Sequence, residues 1–226
     1  FRRVLFRSGD GVTNAGTLRA SNGGFLRLST GTVANAGGTI EAQANSEVEL
    51  ADSVVIEGGT LTGAGTIRNI NTVTIDGIGS TLDGATFVQG NGTSTTLIGT
   101  VDLINGTTMA VNSNGTNTDL VIDGAVTLGG DGSGTVTLDD TTNLERARIR
   151  GINNAVLTND GNTIQGEGQI GVGVMGLINQ NGGLIDANVN GQDIIVDPNG
   201  SNVTNTATMR SEEHTSELQS PDHLVC

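Results

Sequence analysis

The chain of 226 residues contains no lysine, tryptophan or tyrosine, and it has only one cysteine, two prolines and four phenylalanines. A single cysteine excludes a framework of disulfides within the chain. The lack of tryptophan and tyrosine removes the aromatic platforms on which sugar-binding clefts usually stack a ring. No apolar run approaches the roughly 18 residues of a membrane-spanning helix, so we expect no membrane contact by this segment.

Positive charge is also scarce. Ten arginines face 24 acidic residues, which gives a net charge of −14 at pH 7. A chain of this charge repels polyanions, so we expect no nucleic-acid partner. What the sequence has in abundance is small residues, with 36 glycines and many threonines and asparagines.

The two ends of the chain differ in composition from the rest. Residues 210–226 hold both histidines and the cysteine but no glycine, and residues 1–8 hold three of the ten arginines. The segment Arg2 to Ser8 can be written in codons whose reverse complement translates as RSEEHTS, which is the sequence of Arg210 to Ser216. Both ends thus resemble translated sequencing-library adapters in opposite orientation, and we set them aside as fusion scars.

The native segment is then predicted to span residues 9–209, with six arginines, 20 acidic residues and no histidine or cysteine. His214, His223 and Cys226 are accordingly not interpreted as a metal site. The alternative is a natural charged tail with a reactive thiol.

A repeat with a period of about 21 runs through this native segment. Val12 to Leu28 (VTNAGTLRASNGGFLRL) is followed by Val33 to Leu50 (VANAGGTIEAQANSEVEL). Spacings equal to this period, or longer by one position, recur from Val12 to Val33, Leu28 to Leu50, Ile40 to Leu61, Leu157 to Ile178 and Ile164 to Ile185. Val203 to Met209 repeats the pattern of Val12 to Leu18 nine such periods later. A fixed period of this size is typical of a solenoid.

Each repeat predicts three short strands and no helix. Aliphatic residues and threonines alternate with a period of two, as in Val126-Thr127-Leu128 and Val136-Thr137-Leu138. Asn-Gly, Asp-Gly and Gly-Gly pairs between the strands supply the sharp turns. Such a unit has too few inward side chains to form a core alone, so the units must stack.

The sequence therefore predicts an all-β, right-handed parallel β-helix with about 21 residues per coil, and about 9.5 coils would extend roughly 45 Å. The predicted inward residues are Leu18, Leu26, Leu28, Ile40, Val48, Leu50, Ile67, Val73, Ile164, Ile170, Ile185, Ile194 and Val196. The alternative fold is an antiparallel sandwich or barrel with hairpins at the Asn-Gly turns.

Four segments carry a family resemblance: VTNAGTLRAS, VANAGGTIEAQ, LTNDGNTIQGEGQI and LINQNGGLIDAN. They resemble the repeats of filamentous-haemagglutinin-type adhesins and autotransporter passengers of Gram-negative bacteria. The resemblance implies a β-helical stalk of a secreted or surface-displayed protein, of which this chain is an internal piece. That family's secretion signal, export domain and membrane barrel are not found in the sequence, so the secretion route stays open.

Catalysis is the alternative function, because many parallel β-helices degrade polysaccharides. Their active sites use carboxylates backed by basic residues. Asp139-Asp140 is the only adjacent acidic pair in the native segment, and it is interpreted as a solvated turn at a strand end. We therefore expect no catalytic residue and no cofactor, with a polysaccharide-degrading enzyme or phage depolymerase fragment as the alternative.

A calcium site is considered for Leu128 to Val136, LGGDGSGTV, which is similar to a calcium-binding nonapeptide. Counted from Gly129, the sixth position is Gly134 instead of an aspartate, and no second copy follows. One incomplete copy cannot provide the roughly six oxygens that calcium needs. The segment is interpreted as a glycine-rich corner, and incidental calcium binding by the acidic surface stays open.

Arg146, Arg148 and Arg150 occupy alternate positions, so on a strand they share one face, with Ala147 and Ile149 on the other. They are the candidate binding residues, as a local site for the anionic groups of a sulfated glycan or lipopolysaccharide. The alternative is an outward row paired with Glu145, Asp139 or Asp140, which would contribute little to stability.

Recurrent asparagines have a structural interpretation. Asn14, Asn35 and Asn205 recur at the repeat spacing, and we expect them to stack in a ladder at one corner, with amide bonded to amide. An exported protein that folds outside the cell fits a repeat region without cysteine.

The sequence thus predicts a structural, adhesin-like stalk located outside a Gram-negative cell or on its outer surface. Host or matrix glycans or proteins are the candidate partners. Coils without caps at either end would expose unpaired strands, which favours end-to-end self-association.

Overall fold

The computed structural model describes residues 3–7, 11–200 and 203–211. These residues contain strands, turns and bends but no helix, and every strand pairing found among them is parallel. The strands stack into a β-solenoid of about nine coils. The predicted parallel β-helix is confirmed, and the antiparallel sandwich or barrel is excluded.

One side of the solenoid is a ten-stranded sheet, which we call the flat face. Its strands, in spatial order, are β1 (Arg3–Arg7), β4 (Phe25–Ser29), β7 (Glu47–Ala51), β9 (Thr66–Asn69), β11 (Thr86–Gln89), β13 (Thr108–Ser113), β15 (Thr135–Asp140), β17 (Thr163–Gly166), β20 (Leu184–Ala187) and β23 (Thr208–Ser211).

The other side is a thirteen-stranded sheet, which we call the bent sheet. Its strands are β2 (Val12–Thr13), β3 (Thr17–Ala20), β5 (Thr32–Ala34), β6 (Thr39–Ala42), β8 (Val54–Thr62), β10 (Thr72–Asp83), β12 (Ser94–Ile104), β14 (Thr118–Gly130), β16 (Ala147–Asp160), β18 (Gly168–Gly171), β19 (Gly176–Gln180), β21 (Ile194–Val196) and β22 (Val203–Asn205). The register of its long strands shifts near mid-strand, for example between Gly77 and Ser80. Each coil therefore has two strand segments on this sheet and one on the flat face.

Five spacings read from the sequence can be compared with the register. Four are confirmed as pairs of facing residues, and these are Val12 with Val33, Leu28 with Leu50, Ile40 with Leu61, and Ile164 with Ile185. The fifth is wrong by a single position, because Leu157 pairs with Leu177 and not with Ile178.

The nine-period repeat between Val12 and Val203 is also wrong as a register. Val12 pairs with Val33 on the first segment of the bent sheet, whereas Val203 pairs with Leu177 on the second segment. Met209 pairs with Ile185 on the flat face, although its sequence counterpart Leu18 lies in the bent sheet. The same motif thus builds two different corners of the coil.

The coils also differ in length more than a fixed period predicts. Val48 pairs with Ile67 and Val126 pairs with Leu157, and the second pair lies much farther apart in the sequence than the first. Strand segments must match in length to pair, but a turn at a corner can protrude without disturbing its neighbours. The variation therefore accumulates in the corners, and the mean spacing is roughly 22 residues.

The core runs along the inside of the stack, because inward positions alternate with outward ones on every strand. Ten of the predicted inward residues are buried, and these are Leu26, Leu28, Ile40, Val48, Leu50, Ile67, Val73, Ile164, Ile170 and Ile185. The other three, Leu18, Ile194 and Val196, pack against the core but are only partly buried. Each of these three has a paired counterpart on one side only among the described residues.

The stack extends past both predicted segment boundaries. Arg3–Arg7 forms β1 and pairs with β4, and β23 continues to Ser211. The proposed adapter origin of the two ends concerns the DNA and stays a prediction. His214, His223 and Cys226 lie outside the described residues.

Asparagine ladders line two corners. Asn14 Nδ2 donates to Asn35 Oδ1 at 2.7 Å, which confirms the predicted amide-to-amide contact. Asn205 does not belong to that ladder, because its Oδ1 accepts from Asn179 Nδ2 at 2.9 Å, and Asn179 in turn accepts from Asn159. The single ladder predicted from the sequence is therefore two ladders, in different parts of the coil.

Candidate functional site

Charged side chains concentrate where the flat face turns into the bent sheet, between β14, β15 and β16. Arg146 precedes β16, and Arg148 and Arg150 lie within it. Ala147 and Ile149 are fully buried in the core, so the two arginines between and after them point outward. The alternation predicted for these five residues is confirmed.

Arg148 and Arg150 share one carboxylate, that of Asp119 on the neighbouring strand β14. Arg148 faces Asp119 directly in the register and donates from Nε to Oδ1 at 2.8 Å and from Nη2 to Oδ2 at 3.0 Å. Arg150 Nε donates to Oδ2 at 2.7 Å. We call this group of three residues the arginine fork. It has the planar geometry in which a guanidinium binds both oxygens of a carboxylate.

The acidic partners considered in the sequence, Glu145, Asp139 and Asp140, form no ion pair with the fork in the described residues. The actual partner, Asp119, lies one coil earlier, and this separation is well above the mean period. The repeat period could not identify it, because this coil is lengthened at its corner. Only the strand register, in which Arg148 faces Asp119, identifies this partner.

Arg146 is oriented differently from the fork. Its Nη1 donates to the backbone oxygen of Gly115 at 2.6 Å, and its backbone N–H donates to Asp140 Oδ2 at 2.7 Å. The structure therefore brings Arg148 and Arg150 together on one carboxylate and turns Arg146 to the neighbouring turn.

Asp140 organises the turn between β15 and β16. Its carboxylate is fully buried and accepts hydrogen bonds from the backbone N–H groups of Thr142, Leu144 and Arg146 and from the Thr142 hydroxyl. Burial alone would raise the pKa of Asp140, but the hydrogen bonds outweigh burial and lower it. The interpretation of Asp139-Asp140 as a solvated turn is right for the exposed Asp139 and wrong for Asp140.

Glu167 lies next to Asp140 in the following coil, and no feature of the sequence indicated its role. Its Oε1 accepts from the backbone N–H of Asp140 at 3.2 Å, while its buried Oε2 has no partner in the described residues. Burial, together with the nearby charges of Asp139 and Asp140, raises the pKa of Glu167. Both carboxyl groups are closed off from solvent, so this pair stabilises a turn and presents no open cleft.

The glycine-rich segment from Leu128 to Val136 forms a tight corner. Asp131 Oδ1 accepts from Ser133 N–H and its hydroxyl, and Oδ2 accepts from the N–H of Asn105. These bonds lower the pKa of Asp131. Asp131 thus stabilises this corner through its hydrogen bonds. In the described parts of the chain, no group of three or more side chains that could bind a metal ion is found.

A surface depression near the first coils is lined by Val4, Arg19, Ala20, Ser21, Asn22, Gly23, Gly24 and Phe25. Its one charged side chain, Arg19, is held by Glu41 at 2.6 Å. The lining residues include no carboxylate. The arginine fork brings two guanidinium groups together and is therefore the better candidate for an anion-binding site.

No protein-family model, curated protein or solved structure matches the chain. The resemblance to filamentous-haemagglutinin-type adhesins and autotransporter passengers thus stays a prediction from the repeats alone. Among the residues with described positions, no helix is long and apolar enough to cross a membrane.

Proposed function

We propose that this chain is a structural stalk of an adhesin-like protein, secreted by or displayed on the surface of a Gram-negative bacterium. In this role the solenoid holds binding regions at a fixed distance from the cell. Its location outside the cell is supported by a repeat region without cysteine and by the resemblance of the repeats.

The observation that carries the proposal is the continuity of the core from coil to coil. One inward column on the flat face passes without a break through Leu26, Val48, Ile67, Phe87, Met109, Val136, Ile164, Ile185 and Met209. Each coil packs on its neighbours alone, so length is proportional to the number of coils. At about 4.8 Å per coil, nine coils give a rod of roughly 43 Å.

Removal of one complete coil tests the spacer role. Val54 faces Val73 in the register, so deletion of residues 54–72 joins Ser53 to Val73 and preserves the stacking pattern. With the chain placed between an outer-membrane anchor and a fluorescent reporter, we expect the reporter to move about 4.8 Å closer to the membrane, by energy transfer to a membrane dye. Deletion of residues 54–62 alone breaks the register and serves as the control that should not fold.

Two results would overturn the proposal. One is that the chain no longer folds after deletion of residues 54–72, because a spacer built from equivalent units must still fold after the loss of one unit. The other is the release of oligosaccharides from an acidic polysaccharide by the purified chain, which would favour the alternative of a polysaccharide-degrading enzyme.

A further inference from the structure

We propose that the arginine fork binds the carboxylate of a uronic acid in an acidic polysaccharide, with Arg150 as the main contact. The inference concerns a site on the surface of the solenoid, and it holds whether or not the solenoid acts as a spacer.

Charge is the first argument. The arginine fork combines the positive charges of Arg148 and Arg150 with the single negative charge of Asp119, which leaves +1. This surplus stands out on a chain with a net charge of −14. The net charge repels anions in general, so an anion that binds here must be held by specific contacts.

Unused hydrogen-bond donors are the second argument. Arg150 donates to Asp119 from Nε only, and neither of its Nη atoms has a partner among the described residues. The side chain of Arg150 is 32% exposed, so these donors are open to a ligand. The amide of Gln169, which faces Arg148 from the following coil, also has no partner in the part of the chain that the structure describes.

The residue that faces Arg150 is the third argument. In the following coil its facing residue is Gly171, which has no side chain to cover the guanidinium. A Cβ atom at Gly171 would lie 2.1 Å from the backbone oxygen of Asp197, so this position cannot readily carry a larger residue. Gly171 is itself buried, so the accessible donors at this place are those of Arg150 and of the half-buried Gln169.

The ligand chemistry follows from what the fork already holds. Asp119 shows that two guanidinium groups at this place receive a planar carboxylate, for which their geometry is suited. In the opposite direction along the axis, the positions in line with Arg150 are Val121, Thr96 and Thr74, one per coil. Val121 is buried, so a strand of sugars along this line would meet the hydroxyl groups of Thr96 and Thr74 beyond its uronate.

Calorimetric titration of the whole chain with oligogalacturonate at low ionic strength tests the site. The fully methyl-esterified oligomer is the matched ligand control, since it keeps the sugars and loses the charge. We expect the acid to bind and the ester to bind at least fivefold more weakly. Arg150→Ser should weaken binding of the acid about fivefold or more.

Three further variants separate recognition from a structural effect. Asp119→Asn removes the internal competitor and should strengthen binding of the acid at least twofold, whereas a purely structural ion pair predicts no gain. Arg19→Ser, which removes an arginine also paired with a carboxylate, should leave binding unchanged. If Asp119→Asn does not fold, Arg150→Lys keeps the charge but loses the planar fork, and it should also weaken binding. Equal binding of acid and ester, or unchanged binding by Arg150→Ser, would overturn the proposal.

Discussion

Leu18 faces Ile40 across two adjacent parallel strands, although they belong to successive repeats of the chain. The threonines that precede them, Thr17 and Thr39, face each other in the same register. Each residue thus lies against its own counterpart from the next coil, which is the relationship that makes a solenoid from a repeat. The stability of any one coil therefore depends on side chains that fit their counterparts.

Gly59 and Gly79 provide a matched test of close approach at the bend. Both have a φ of 72°, but a Cβ at Gly59 would lie 2.0 Å from the Asn35 backbone oxygen, whereas Gly79 has open space. We expect Gly79→Ala to lower the free energy of unfolding by about 1–2 kcal/mol, the cost of its left-handed backbone. Gly59→Ala should cost about 1–3 kcal/mol more because of the clash. Equal losses in urea unfolding would contradict the packing at this bend.

Phe87 tests the continuity of the core. It is fully buried in the flat-face column between Ile67 and Met109. Phe87→Ala should lower the free energy of unfolding by about 3–5 kcal/mol, since the cavity interrupts contacts on both sides. Ile78 is 80% exposed, so Ile78→Ala is the control. It should change the free energy of unfolding by no more than about 0.5 kcal/mol. A small effect at Phe87 would mean that the column is not continuous there.

The second asparagine ladder depends on Asn179. Its amide donates to the backbone oxygens of Gly183 and Thr208 and to Asn205, and it accepts from Asn159. Asn179→Ala removes all of these hydrogen bonds at a fully buried position and should destabilise the chain by about 2–3 kcal/mol. Thermal and urea unfolding should show little change for the exposed Asn190→Ala. Similar stability of the two variants would exclude a structural role for the ladder.

Glu167 predicts a stability that falls as pH rises. Its folded pKa is raised above the ordinary value of 4.5, so its contribution is present in full below that value and is lost as pH rises through the folded pKa. Glu167→Gln, which resembles the protonated form, should therefore be more stable than the parent at neutral pH, by about 1–3 kcal/mol. At pH values below 4.5 this gain should shrink toward zero.

Asp140 acts in the opposite sense. Its pKa is lowered, so its contribution is present above its ordinary value of 3.8 and is lost as pH falls through the folded pKa. The gain from Glu167→Gln can therefore be followed from neutral pH down to about pH 4, where Asp140 stays charged. The exposed Glu57→Gln is the matched control for removal of one negative charge. The same gain in both variants would assign the effect to net charge and not to the buried site.

The sequence predicted well which residues of each strand point into the core. Alternation of aliphatic and polar residues identified the inward columns, because a strand with one buried face imposes that period. The register was harder to predict, because corners differ in length while strands do not. Val203 to Met209 shows this clearly, since its motif repeats that of Val12 to Leu18 but lies at another corner.

The candidate site was predictable only in part. Arg148 and Arg150 were found because alternate spacing places them on one face, whereas Asp119 and Glu167 were missed because each comes from a neighbouring coil. Contacts between coils depend on the length of each corner, which composition and local pattern do not contain. The buried state of Asp140 was missed for a related reason, since it depends on the turn that follows β15.

Distances between spin labels along one outward column of the flat face test the stacking most directly. Thr66, Thr86, Thr108, Thr135, Thr163, Leu184 and Thr208 face one another in turn, one per coil. With Cys226 replaced by serine, labels at Thr66 and Thr163 are four coils apart and labels at Thr66 and Thr208 are six coils apart. Stacking in register predicts electron–electron distances of roughly 19 Å and roughly 29 Å, a difference of about 10 Å set by the coil spacing alone. Distances that do not increase by about 4.8 Å per coil would contradict the solenoid and the proposals that depend on it.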